Sequence, residues 1–458
     1  MKIFKAMVSS ISQLNPTLNM VRNLVNVRSN LGAMKYIKNT SWLMAEKVLR
    51  MALGLFVGVW IARYLGPEQF GLFSYAQSFV ALFAVIATLG LDGIVVKELV
   101  NDEYNRETLL GTAFVLKLIG AIFVILLLTA SLFIQSSDYT TSSLIFVIAS
   151  ATVFQSFNVI DFYFQSKVLS KFVVICNVVT LLLSSLIKVV LILNEAPLIT
   201  FAYAILFDSF CLALGFIFFY FKSNLSLFNW SFDKDKARLL LSESWPLILS
   251  GLVISMYMRI DQIMIKNMLG SSEVGQYAAA VRLSEAWYFI PMVVSSSLFP
   301  AVINAKKVSQ ELYYSRIQKL YDLMAWTAIC IAIPMTFFGD RVINFLYGES
   351  FGDAGGVLMI HIWSAVFVFL GVASSKWFIS EGLQRYSFYR TVSGALLNIA
   401  LNLLLIPEYG IYGAAIATLC SQMVASYLFN LMNHKSRITF IMQSRALLLP
   451  LRKVGLKF

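Results

Sequence analysis

Apolar residues run through this chain in about a dozen stretches of 18 or more, separated by short polar or basic segments. A membrane-spanning helix needs ~20 mainly apolar residues, because the hydrocarbon core is ~30 Å thick and cannot satisfy bare backbone. The pattern predicts spans at 42–64, 71–95, 111–134, 143–165, 171–193 and 199–221. After a polar stretch at 222–242 it predicts six more, at 244–266, 279–303, 320–339, 357–380, 386–406 and 410–432. The expected fold is an all-α polytopic membrane protein of about 12 transmembrane helices, in two six-helix halves around a central cavity. The expected organisation is a cytoplasmic N-terminal segment (1–40), an N-terminal bundle (41–221), a cytoplasmic linker (222–242), a C-terminal bundle (243–432) and a basic cytoplasmic tail (433–458).

Charge supplies the orientation. Only 13% of the 458 residues are charged, with a net charge of +12. One alternate set of loops holds Lys97, Arg106, Lys167, Lys171, Lys222, Lys234, Lys306, Lys307, Arg385 and Arg390, and both ends share that bias. The opposite loops hold little beyond Arg63, Lys266 and Arg341. Basic loops stay cytoplasmic, so both termini are expected inside. The longest external loop is expected at about 339–356. No basic run is interleaved with exposed aromatics, so nucleic acid is not an expected partner. The first 35 residues lack an apolar core with a small-residue cleavage site, and read as a cytoplasmic segment rather than a signal peptide.

The chain is written twice. Residues 61–76 read IARYLGPEQFGLFSYA and residues 265–280 read IKNMLGSSEVGQYAAA. At a shift of 204, Leu65-Gly66 falls on Leu269-Gly270, Gly71 on Gly275 and Ala76 on Ala280. At a shift of 214, Asn177, Ser184 and Lys188 meet Thr391, Asn398 and Asn402, at a spacing that lines one helical face. Six spans per half give the two halves one orientation, a build used by secondary transporters.

Charges inside the spans are the candidate chemistry, since each costs ~2.5–3.5 kcal/mol at mid-membrane even on the lenient insertion scale. They are Glu46, Lys47, Arg50, Asp161, Lys188, Asp208, Arg259, Asp261, Arg282, Glu285, Asp322 and Lys376. Lys117 lies near the basic side and is expected to snorkel. Glu46 and Arg50 are one helical turn apart, and so are Arg282 and Glu285, each spacing suited to a local ion pair. Ser255, Arg259, Gln262 and Lys266 form one stripe, from which Asp261 points roughly 200° away. Arg259 has no acidic residue at helical spacing. The cysteines Cys176, Cys211, Cys330 and Cys420 are scattered, and His361 and His434 lie far apart, so no disulfide framework, metal site or cofactor is expected. There is no GxxxxGK[ST] loop, GxSxG elbow or HExxH helix, so no catalytic residue is assigned.

Three segments carry a family resemblance. WLMAEKVLRMALGLFVGVWIARYLGPEQFGLFSYAQSF (42–79) resembles the start of the bacterial Wzx-type polysaccharide flippases. These belong to the multidrug/oligosaccharidyl-lipid/polysaccharide exporter superfamily. DFYFQ (161–165) resembles their fourth-span D-W-x-F-Q element, with Phe162 in place of Trp, and IPEYGIYGAAIA (406–417) resembles their turn into the last span. The resemblance implies transfer of an undecaprenyl-pyrophosphate-linked oligosaccharide across the bacterial inner membrane for O antigen, capsule or exopolysaccharide. It also implies a monomer working beside a polymerase and a chain-length regulator, with H⁺ or Na⁺ as the coupled ion. On this reading Arg259, Arg282, Arg50, Lys376 and Lys188 are the cations offered to cargo. Asn177, Ser255, Gln262, Asn398 and Asn402 give the polar lining, and Asp161, Asp208, Asp261 and Glu46 serve ion coupling or gating. Asp161 and Lys376, at equivalent places in the two halves, are expected to pair in the outward-facing state.

Two alternatives stay open at this point. A drug exporter of the same superfamily would want acidic residues in an apolar pocket. A membrane polymerase or ligase would want catalytic groups in a long external loop. Lipid II flippases are further relatives, but no thirteenth or fourteenth span is found here. Reporter fusions test the topology: Leu225 should report cytoplasmic and Gly352 external, and the reverse pattern would overturn both span count and repeat.

Overall fold

The computed structural model describes residues 31–102, 105–135, 138–432 and 434–449, and among them all regular structure is helical. Helix is what lipid demands, since a helix satisfies its own backbone. In chain order the helices are α1 (Leu31–Thr88), α2 (Asp92–Asn101), α3 (Arg106–Gln135), α4 (Tyr139–Gln155), α5 (Val159–Ser166), α6 (Ser170–Leu193) and α7 (Leu198–Lys222). After the linker come α8 (Lys234–Met268), α9 (Ser271–Glu285), α10 (Phe289–Val308), α11 (Gln310–Tyr347), α12 (Gly352–His361), α13 (Ser364–Ser380), α14 (Gln384–Ser426) and α15 (Arg437–Leu447). Most of the expected N-terminal segment, residues 1–30, lies outside the described residues.

The expected spans all fall within these helices. α1 covers the first span and the second as far as Thr88 and is broken at Gly66 (φ 69°, ψ 170°), while α14 covers the eleventh span and the last as far as Ser426 and is broken at Gly410 (φ 58°, ψ −139°). By length and composition, nine helical stretches among the described residues can cross a membrane. There are ten if the bent pair Glu349–His361 and Ser364–Ser380, at 46°, is one span. The expected twelve requires each of the two glycines to be a turn between crossings.

Turns fall alternately on two faces. The far face carries Gly66, Asp138, Glu195, Gly270, Gly348 and Gly410; the opposite face carries the linker. Asp138 caps α4 by accepting from the Thr141 amide (3.0 Å) and hydroxyl (2.6 Å). Burial pushes its pKa up, but these hydrogen bonds outweigh burial and hold the carboxyl below the usual range.

α1 packs on α3, α4 and α6, and α4 on α7, making the N-terminal half. In the other half α8 packs on α14, and α11 on α12, α13 and α15. The stretch expected as a tail thus contains a helix seated in the C-terminal half. Its Gln443 is fully buried and donates to Ser374 Oγ (2.8 Å) and the Ser426 carbonyl (3.1 Å).

Two expectations are corrected. Lys117 does not snorkel: its side chain is 5% exposed, its ammonium lies 3.3 Å from Asp92 and 4.8 Å above the Phe162 ring. The break at Leu89 and Gly90, both with positive φ, starts α2 at Asp92 and so brings that carboxylate to the lysine. The external loop expected at about 339–356 is shorter than that, because α11 continues to Tyr347 and α12 begins at Gly352.

The halves meet most closely near the far face, where the start of α9 crosses α1 just after its break. A methyl group at Gly71 would collide with the Ser271 carbonyl, 2.7 Å from the Gly275 nitrogen. One at Gly275 would collide with the Pro67 carbonyl. At the repeat shift of 204, Pro67 corresponds to Ser271 and Gly71 to Gly275, so one contact is made twice, reciprocally. Bare glycine lets helices approach backbone to backbone, which is how packing alone joins helices in lipid.

Gly71→Ala or Gly275→Ala should therefore part the halves on the far face. With cysteines at Arg63 and Glu349 in a background free of other cysteines, cross-linking should fall about tenfold, matching an overpacking cost of about 1–3 kcal/mol. Gly93→Ala, which meets nothing within 4 Å, should leave it unchanged.

Candidate functional site

Between the halves lies a cavity of about 590 Å³, with walls from α1, α6, α7 and α9. That volume suits a ligand of several rings. The α6 wall is built as its spacing requires: Asn177, Thr180, Ser184 and Lys188 all reach the cavity. Lys188 donates to Ser184 Oγ (2.6 Å) and Asp208 Oδ2 (2.9 Å), so its charge is neutralised by α7. Asp208 Oδ1 is buried without a partner. On α1, Arg50 reaches Glu46 through Nε (2.7 Å) and Nη2 (2.6 Å), the local pair its spacing predicts. The arginine side chain is 50% exposed and the carboxylate 6%, so the guanidinium faces the cavity and Glu46 stands behind it.

Arg282 is different. Its Nη2 donates to Gln77 Oε1 (3.3 Å), its Cζ lies 5.0 Å above the Phe70 ring, and Nη1 sits where a methyl at Gly58 would be, at 2.9 Å. It forms no ion pair with Glu285, contrary to their helical spacing. An adjoining space of about 230 Å³ is shared by Arg259, Arg282, Glu285, Gln77 and Gln262. Among the described residues Arg259 has no hydrogen-bond or ion-pair partner. A guanidinium carries five donors in a planar fork, so both arginines keep capacity for an anion.

Other expected residues lie outside the large cavity. Ser255 donates to the Ala81 carbonyl (2.9 Å), and Gln262 accepts from Ser78 (2.8 Å), both in the seam between halves. Lys266 donates to Ser271 Oγ (2.5 Å). Asp161 accepts from Gln165 (3.0 Å), and Lys376 lies 5.4 Å above the Phe299 ring, so the two are not paired in this conformation. Asp261 points away from Arg259 as expected, into the C-terminal half. There it accepts from Tyr277 (2.8 Å), Thr418 (2.6 Å) and Asn402 (2.5 Å), and Asn402 also donates to Asn398 (3.2 Å). All its donors are neutral. Asn398 Nδ2 and Asn402 Oδ1 are left unpartnered beside it.

Sequence reasoning passed over Gln77, which with Ser74 and Ser78 is a polar cluster inside an apolar span, a signal that was available. It also placed Arg390 among the loop cations. Arg390 is instead 6% exposed, 3.3 Å from Ser375 Oγ and 5.2 Å above the Phe378 ring. No motif signals that burial, because it depends on how α14 packs on α13.

A family model described as polysaccharide biosynthesis protein matches residues 36–306, more than half of the chain. The chain belongs to that family. A second model, MatE, matches residues 246–404. The chain is 21% identical over 395 residues to the capsular polysaccharide biosynthesis protein CapF of Staphylococcus aureus, covering 85% of this chain and 97% of that protein. It is 26% identical over 381 residues to the probable low-salt glycan biosynthesis flippase Agl15 of Haloferax volcanii, covering 80% of this chain and 77% of that one. The fold is similar to that of a multidrug resistance MATE family transporter of the MOP superfamily, solved in an inward-facing conformation. The TM-score is 0.69 at 17% identity, over 89% of this chain and 96% of that one. The family resemblance drawn from the sequence is borne out, and so is the helical transporter fold.

In this member of the polysaccharide biosynthesis protein family, the Lys188–Asp208 pair should behave as a unit. Lys188→Met alone strands a carboxylate and should lower the thermal midpoint of the purified protein, by a cost on the order of 1–3 kcal/mol. The double variant Lys188→Met/Asp208→Leu should recover most of that loss; no recovery would mean the pair is not coupled.

Proposed function

We propose that this chain is a flippase for lipid-linked oligosaccharides, carrying undecaprenyl-pyrophosphate-bound repeat units from the inner to the outer leaflet of the cytoplasmic membrane by alternating access. The observation that carries this reading is the unpaired charge in the cavity. Arg50 and Lys188 each have a carboxylate partner, whereas Arg282 and Arg259 have none at ion-pair distance. Two free guanidinium forks beside a wall of amides and hydroxyls suit a pyrophosphate followed by sugars. Asn177, Thr180 and Ser184 supply neutral donors and acceptors for sugar hydroxyls. A cationic drug would want unpaired carboxylates in excess, whereas here the single carboxylate Glu285 stands against two unpaired guanidiniums, so the exporter alternative is disfavoured.

In this reading residues 41–221 and 243–432 are the two rocking halves, joined by 222–242. The basic loops assign the linker face to the cytoplasm, so a far face closed by Gly71 and Gly275 corresponds to an inward-facing state. Asp261, fully buried among neutral donors, is the coupling carboxylate for H⁺ or Na⁺. A space of about 10 Å³ beside it has room for one water-sized occupant.

Arg282→Ala should reduce surface glycan at least tenfold in a flippase-deficient host, with the protein still in the membrane by immunoblot. Arg259→Ala should do the same. The lysine variants should keep partial activity, since charge survives but the fork does not. Normal glycan from both alanine variants would overturn the assignment of the anion site.

A further inference from the structure

Among the described residues, Glu285 alone lines three neighbouring spaces at once. It lines the 590 Å³ cavity, the 230 Å³ space with Arg259 and Arg282, and the 10 Å³ chamber that holds Asp261. It ends α9, at the 3₁₀ turn Ala286–Tyr288 that separates α9 from α10. Arg259 from α8 and Arg282 from its own helix share the 230 Å³ space with it and Asp261 shares the small chamber, yet neither arginine forms an ion pair with it. Across the large cavity are Arg50, Lys188 and Asp208, already paired among themselves or with Glu46. Toward the small chamber stand Tyr257 from α8, Tyr277 from α9, Tyr288 from the turn and His361 from α12. His361 is engaged with Ser284 (2.9 Å).

Charge counting gives this position a meaning. A sugar-linked pyrophosphate diester carries two negative charges, and Arg259 and Arg282 supply two positive ones. With Glu285 ionised the site is one positive charge short, and a carboxylate faces the incoming phosphates. With Glu285 neutralised the match is complete. We propose that Glu285 is a second monovalent-cation site, taking up one H⁺ or Na⁺ through the chamber it shares with Asp261, and that this uptake makes the cavity competent for its anionic cargo. The inference rests on the flippase reading and adds a cation acceptor to it. Linkage then works both ways: the cation tightens cargo binding, and bound cargo tightens the cation. Loss of the cation restores the carboxylate and drives the pyrophosphate off the arginines.

The test measures binding of a prenyl pyrophosphate bearing one N-acetylhexosamine to the full-length protein in nanodiscs. The probe is a diester, so its own phosphates do not titrate over the range used. Lowering the pH without sodium, and adding sodium at fixed pH and ionic strength, form the two arms that distinguish proton from Na⁺. In the wild type one arm should tighten binding about tenfold, within the range usual for coupled sites. Glu285→Gln should bind tightly in every condition, changing less than about twofold, while Glu285→Asp should keep the dependence. Should Glu285→Gln fail to reach the membrane, Glu285→Ala carries the same comparison. Equal cation dependence in wild type and Glu285→Gln, with binding lost in Arg282→Ala, overturns the role of Glu285 and leaves the flippase reading standing. Binding unaffected by Arg282→Ala and Arg259→Ala together overturns both.

Discussion

Backbone meets backbone where α9 crosses α1, and the arrangement of the halves depends on that contact. Gly71 faces the Ser271 carbonyl and Gly275 faces the Pro67 carbonyl, with no room for a side chain at either glycine. Water cannot drive helices together inside lipid, so closeness of approach sets how firmly they hold. The duplication lets one such contact be made twice about a single axis. Phe70 of α1 and Phe351 of the far-face turn stack edge to face beside it at 6.0 Å, extending the seal. Within the C-terminal half, α10 packs on α11 and α13.

The second constraint is the cost of charge in a medium of low dielectric. Three buried or half-buried cations of the N-terminal half have a carboxylate partner: Glu46 for Arg50, Asp92 for Lys117, Asp208 for Lys188. Such pairs roughly offset their own desolvation rather than adding stability, so their value is in permitting polar groups where the bilayer would exclude them. Against that background the central groups Arg259, Arg282 and Glu285 stand out, each without an ion pair. Unpaired charge is tolerated where a ligand or ion completes it during the working cycle.

The two halves share a backbone plan but not a chemistry. In the first, polar groups of α6 point into the large cavity. Their counterparts on α14, Asn398 and Asn402, turn inward to hold Asp261. The same face of the same repeated helix thus lines a cavity in one half and holds a buried carboxylate in the other. α15 fits this asymmetry, since its Gln443 and Ser444 tie the ends of α13 and α14 together in the C-terminal half alone, Ser444 sharing a hydrogen bond of 2.7 Å with Tyr427.

Hydrophobic periodicity alone located the helices, because a stretch of ~20 apolar residues has no other stable structure in lipid. The repeat announced the far-face crossing through Leu-Gly and the glycine five residues on, since only glycine permits that approach. Local spacing also decided the Glu46–Arg50 pair and the opposite directions of Arg259 and Asp261. What the sequence could not decide were contacts between residues far apart in the chain. Lys188 finds Asp208 across two helices, Lys117 finds Asp92 through a backbone break, and Arg282 leaves its neighbour Glu285 for Gln77 on the other half. Arg390 is buried by helix packing that no motif encodes. Which charges are paired, and therefore which stay free for a ligand, is a property of helix against helix, and only the tertiary structure sets it.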